Sequence, residues 1–172
     1  MKRKIVVLLL IIICFILQCT VFKQIPFTQV VPNLLIVLTS SFGFMRGKTD
    51  GLIVGLISGL LIDLFFSEFF GFNTLIYMYI GYINGFFKNM FYDDDIKLPM
   101  VLITGSDFAY GCVIYFFSFL LRGRFDTIYY FKNVIFPEVV YTVVVTLIFY
   151  RIIRRINRKL EDDEKRSAAK FV

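Results

Sequence analysis

The chain has 172 residues, of which 58% are hydrophobic and 19% aromatic, and a formal net charge of +6. A soluble domain is about 45–50% apolar; here the excess falls in long blocks, so the composition is that of an integral membrane protein and excludes an ordinary water-soluble domain. There is no histidine, which excludes a histidine-ligated zinc site and a histidine-based triad, and the three cysteines (Cys14, Cys19, Cys112) sit in apolar blocks as small hydrophobes with no disulfide framework.

In chain order, Lys2, Arg3 and Lys4 precede an apolar run from Ile5. No small-residue cleavage site follows it, and Ile13 and Gln18 stand before the two cysteines where a lipoprotein signal needs a small residue. The block therefore reads as an uncleaved helix. Six spans can be drawn, at about 5–22, 30–45, 51–66, 72–87, 99–121 and 133–150, predicting a six-helix, all-α transmembrane bundle in a single domain. A bilayer core of about 30 Å needs about 20 apolar residues. The second, third and fourth spans are short by that measure, so they stand upright, reach into the interface or are shielded by neighbours. The tight connection at 67–71 predicts an antiparallel hairpin of the third and fourth spans. With a cytoplasmic N-terminus, the outer segments hold only Lys23, Arg122, Arg124 and Lys132, leaving 15 of the 19 basic residues inside. That bias puts both termini on the cytoplasmic side. The basic outer loop from Arg122 to Lys132 runs against it and suggests contact with a partner or with anionic headgroups. Nucleic acid is a poor partner for a chain whose charge is explained by topology.

Pro32 and Asn33 open the second span, where a proline costs no helical hydrogen bond. Gly47, Gly51, Gly55, Gly59 and Asp63 follow at intervals of four and share one helical face. Such a stripe is a shallow groove for close helix packing. Asn73, Tyr77, Gly81 and Gly85 form a second ladder on the fourth span. The two ladders either pack on each other or offer one groove to another protein. Asp63, Asp107 and Glu138 are intramembrane acids, predicted at the outer end of the third span, the inner half of the fifth and the outer part of the sixth. Each costs roughly 2.5–3.5 kcal/mol on the insertion scale, so each is expected to face protein or water, as a structural contact or as an ion-coupling group. Pro137 lies inside the sixth span and is expected to kink it. After that span, Ile152, Ile153, Ile156 and Leu160 repeat at helical spacing among arginines, so residues 151–172 read as a basic amphipathic cytoplasmic tail that lies on anionic headgroups or docks a partner. The Asp93–Asp95 cluster reads as a solvated loop. No nucleophile–base pair, phosphate loop or metal cluster is present, so no catalytic, cofactor or metal residue is assigned.

The order of motifs resembles a known family. Pro32-Asn33-Leu34-Leu35 opens a span ending at Arg46-Gly47; then come the four-residue glycines with Gly59-Leu60-Leu61-x-Asp63, then Gly71-Phe72-Asn73-x-Leu75 and Gly81. This pattern is similar to that of the rod shape-determining protein MreD family. Length, span number, the basic C-terminal end and a proline in the last span agree. Asn33 stands where an aspartate is common in the family, so no acid role carries over to it. The resemblance implies a non-enzymatic membrane scaffold that associates with the single-span protein MreC. Through it the chain would connect to MreB filaments and to the peptidoglycan synthase (glycosyltransferase and transpeptidase) of the elongation complex. It also implies a fold similar to the substrate-binding subunits of energy-coupling-factor transporters, which makes a vitamin-type ligand-binding subunit the alternative.

Overall fold

A computed structural model describes residues 2–20, 31–67, 69–90, 96–117 and 131–169. Every element among them is helical. They are α1 (Lys2–Thr20), α2 (Leu34–Arg46), α3 (Lys48–Phe66), α4 (Phe72–Asn84) running into a 3-10 turn (Gly85–Met90), α5 (Lys97–Tyr115), a π-helical turn (Phe131–Ile135) and α6 (Phe136–Ala169). Four helices are long and apolar enough to cross a membrane: α1, α3, α5 and α6 with its preceding turn. The chain is thus a multi-pass membrane protein. Lys23, Arg122, Arg124 and Asp93–Asp95 lie outside the described residues.

α2 and α4 have 13 residues each, about 20 Å of helix at 1.5 Å per residue. α2 manages this by being the hub of the bundle. It touches all five other α-helices, and every residue from Leu34 to Met45 is buried. A helix apolar all round is stable only when enclosed in this way. α1 is the opposite case: Ile11 and Cys14 are buried, while Ile5, Leu9 and Ile16 are each more than half exposed, as lipid-facing side chains are.

α2 passes to α3 through one residue. Gly47 has φ 111° and ψ −176°, a positive-φ conformation that suits glycine; its N–H donates to the Gly43 carbonyl at 2.7 Å and its carbonyl accepts from Gly51 N at 3.0 Å. Gly71, at φ 95°, makes the left-handed turn before α4. α3 and α4 pack on each other more extensively than any other pair, as the tight connection predicts.

α6 is continuous through both the predicted sixth span and the start of the tail. Its 34 residues are about 51 Å long, well beyond a core of about 30 Å. Pro137 does not kink its middle. It stands in the first turn of α6, directly after the π-helical residues. A π turn leaves room for the proline ring and shifts the ladder past its missing N–H. The two ends of the described chain meet at one end of the bundle, where Arg3 pairs with Glu164 at 3.1 Å.

Candidate functional site

The glycine stripe is filled by the chain's own fourth helix. A Cβ at Gly51 would fall on the Gly81 carbonyl, one at Gly55 on the Tyr77 carbonyl, and one at Gly59 on the Thr74 backbone. From the other side, a Cβ at Gly81 would fall on the Gly51 carbonyl and one at Gly85 on the Lys48 backbone. The two ladders therefore meet backbone to backbone along the length of the hairpin. Gly43 of α2 joins them: its Cβ would stand 2.7 Å from the Gly81 carbonyl oxygen. Gly47 sits at the end of the seam, where its Cβ would meet the Lys88 side chain at 3.1 Å.

Asp63 closes the other end of this hairpin. Its two carboxylate oxygens accept from Gly71 N (3.0 Å), Asn73 N (3.1 Å), Asn73 Nδ2 (3.0 Å), Thr74 N (2.8 Å) and the Thr74 hydroxyl. The first N–H groups of a helix have no partner within it, and in a membrane none can be left to water. Asp63 satisfies those of α4 from the neighbouring helix, and the positive end of the α4 dipole favours its charge. The carboxylate is a helix cap reached across a turn.

α2 begins at similar cost and is capped by different means. Leu34 N donates to the Pro32 carbonyl at 3.1 Å, Leu35 N to Gln18 Oε1 at 3.3 Å, Ile36 N to Asn33 Oδ1 at 3.3 Å and Val37 N to the Asn33 carbonyl at 3.2 Å. Asn33 N itself donates to Thr142 Oγ1 at 3.2 Å. The same Asn33 Oδ1 accepts from the Tyr77 hydroxyl at 2.7 Å.

These two caps belong to one polar network. Tyr77 packs edge-on against Tyr110, with ring centroids 5.4 Å apart, and the Tyr110 hydroxyl donates to Asn73 Oδ1 at 2.9 Å. Asp63 of α3, Asn73 of α4, Tyr110 of α5, Tyr77 of α4, Asn33 at the start of α2 and Thr142 of α6 thus link five helices. A second node lies nearer the basic end: Asn84 Nδ2 donates to Ser106 Oγ at 2.8 Å and to the Ile80 carbonyl at 2.8 Å, with Ser40 Oγ at 3.4 Å.

Asp107 and Glu138 are brought together, although the sequence places them in opposite halves of the membrane. α5 carries Asp107 ten residues beyond Lys97, about 15 Å along the helix and so at mid-depth. There it lies within electrostatic range of Glu138 and close to Thr142. Asp107 is 2% exposed, and neither of its carboxylate oxygens has a hydrogen-bond partner among the described residues. Unlike Asp63, this acid caps nothing.

Arg46 ends α2 beneath α6. Its Nε donates to Asn157 Oδ1 and its Nη1 reaches Glu164 at 3.2 Å. Asn157 Nδ2 in turn donates to Glu161 at 2.9 Å, and Arg3 joins Asp50 at 2.9 Å. Among the described residues, no group of three or more acidic or cysteine side chains is placed to hold a metal ion. Thr142, Tyr110 and Asn84 were not singled out by sequence. Thr142 and Asn84 are single polar residues in apolar runs, and Tyr110 follows Ser106 and Asp107 at helical spacing; those are the local signals for them.

A model of the family described as rod shape-determining protein MreD matches residues 1–160 of the chain. No curated protein and no solved structure matches it.

Proposed function

Because the chain belongs to the rod shape-determining protein MreD family, we propose that it is a non-enzymatic scaffold in the bacterial cytoplasmic membrane, organising lateral peptidoglycan synthesis by binding MreC. The family match over residues 1–160 carries this reading. In it, the whole chain forms one six-span domain. The basic end with Arg3, Arg46 and Arg151 faces the cytoplasm, following the positive-inside bias. MreC supplies the link to MreB filaments and to the peptidoglycan synthase.

The placement of the glycines bears on where such partners bind. Gly51, Gly55 and Gly59 are covered by α4, so a partner helix is assigned to an outer surface. α1 is the best candidate, because Ile5, Leu9 and Ile16 leave one face open along its length and a single-span partner is itself one helix. The interior offers little support for a vitamin-type ligand subunit. Where α2, α4 and α5 meet, the space is taken by Tyr77, fully buried, and by side chains that hydrogen-bond one another.

The test is co-purification of MreC with the tagged full-length chain from membranes, alongside depletion in a rod-shaped cell. Recovery of MreC and conversion of rods to spheres are expected. Loss of neither shape nor wall incorporation on depletion, with no MreC recovered, would overturn the reading. Replacing Ile5, Leu9 and Ile16 by alanine should weaken recovery while the chain still inserts.

A further inference from the structure

At the basic end, α1, α2 and α3 enclose a cleft of about 170 Å³. Arg3, Lys4, Arg46 and Asp50 form its polar mouth, and Val7, Leu8, Phe42, Ile53, Val54 and Ile57 its apolar walls. The chemistry changes in one direction. Asp50 to Ile57 is seven residues of α3, about 10 Å, and over that rise the lining passes from charged to wholly apolar. Leu8 and Ile53 are 44% and 47% exposed, so the upper part opens sideways towards the bilayer.

The mouth has an unfilled requirement. The Arg46 side chain is 7% exposed, and although Nε and Nη1 are engaged, its Nη2 is buried with no hydrogen-bond partner among the described residues. A buried guanidinium N–H without an acceptor is costly. Lys4, on the same rim, makes no ion pair among the described residues. Among the described residues, three cations (Arg3, Lys4, Arg46) and one carboxylate (Asp50) line the mouth, and Glu164 pairs with Arg3 and Arg46 from α6. Lys4 and the Arg46 Nη2 N–H are thus the donors left over at this mouth among the described residues, and a group that satisfies them must offer oxygen acceptors.

We propose that this cleft binds an anionic phospholipid, with its phosphodiester on Arg46 Nη2 and Lys4 and one acyl chain over Leu8, Ile53 and Ile57. A phosphodiester is anionic, and its oxygens suit guanidinium and ammonium donors. A soluble phosphate would use the mouth and leave the aliphatic wall empty. A lipid uses both, and its headgroup layer lies where the basic end of the bundle meets the surface. This rests on the membrane placement of the helices and is independent of which proteins the chain assembles with.

The experiment is lipid titration of the purified full-length chain in detergent, read by native mass spectrometry. Phosphatidylglycerol is compared with phosphatidylcholine of the same acyl chains, with inorganic phosphate as competitor. Phosphatidylglycerol should bind at least about fivefold tighter than phosphatidylcholine, and Lys4→Gln should lower that affinity about fivefold, the equivalent of one basic residue at an anionic surface. Leu8→Trp, which fills the aliphatic wall without touching charge, should weaken binding of phosphatidylglycerol by a similar factor. Lys159→Gln, a basic residue away from the cleft, should change nothing. Equal affinity for the two lipids, displacement by phosphate alone, or unchanged binding in both Lys4→Gln and Leu8→Trp would each overturn the proposal.

Discussion

At the scale of single residues, the glycines divide by what surrounds them. Gly55 lies against the Tyr77 carbonyl, so an added methyl meets backbone that cannot step aside. Gly105, within α5, would meet nothing within 4 Å. The same substitution therefore has opposite signs at the two sites. Gly55→Ala should destabilise by about 1–3 kcal/mol, the usual cost of overpacking. Gly105→Ala should stabilise by about 0.5–1 kcal/mol, because alanine loses less backbone freedom in a helix. Unfolding of the purified protein in mixed micelles with rising SDS fraction measures both. Equal effects at the two positions would mean that the hairpin seam is not closed as described. Spacing alone cannot make this distinction: four-residue intervals identified Gly51, Gly55 and Gly59 as a packing stripe, but the occupant of the groove depends on where a tight turn at Gly71 returns the chain.

At the scale of elements, the polar residues sort by whether they serve a helix end. Asp63 takes five donors from the start of α4, whereas Asp107 takes none among the described residues. Asp63→Asn would turn an amide N–H₂ towards at least two of those donors and should cost roughly 2–4 kcal/mol. Asp107→Asn replaces a buried carboxyl that has no hydrogen-bond partner among the described residues and should leave stability unchanged or slightly raised. Melting of the two variants in the same detergent gives the comparison, and a cell-shape assay separates the roles: a folded Asp107→Asn chain that fails to support rods would give that acid a task beyond packing. Depth and charge marked both acids in the sequence, but not this difference. It arises from chain geometry, since Asp63 is eight residues before Gly71 across a turn, and Asp107 comes into electrostatic range of Glu138 only through the packing of α5 on α6. Pro32-Asn33 marked the start of the second span but not the cap: α2 begins at Leu34, Pro32 precedes it, and the Asn33 side chain accepts from Ile36 N.

At the scale of the whole molecule, α2 is the axis and α6 the brace. The six apolar blocks in the sequence carried the helix count. What they did not carry was that a 13-residue helix of ordinary-looking apolar residues would be enclosed by five others, because burial all round and exposure to lipid select the same side chains. The brace is more informative. Tyr150, Ile153, Asn157 and Leu160 are all buried and recur at intervals of three and four, so one stripe of α6 seats on the bundle past the end of the apolar span. Its polar member, Asn157, holds the Arg46 guanidinium. Glu164, 45% exposed, adds ion pairs to Arg46 and Arg3. These contacts should not weigh equally. An exposed pair contributes about 0–1 kcal/mol, so Glu164→Gln should be nearly silent at physiological salt. Asn157→Leu strands a guanidinium N–H that is 7% exposed as a side chain and should cost about 1–3 kcal/mol. If the brace couples α6 to the ends of α1, α2 and α3, that loss should appear first as faster proteolysis or amide exchange from residue 151 onward, with the α3–α4 hairpin still protected. Simultaneous loss of protection in both regions would instead mean that the bundle and its brace unfold as one unit.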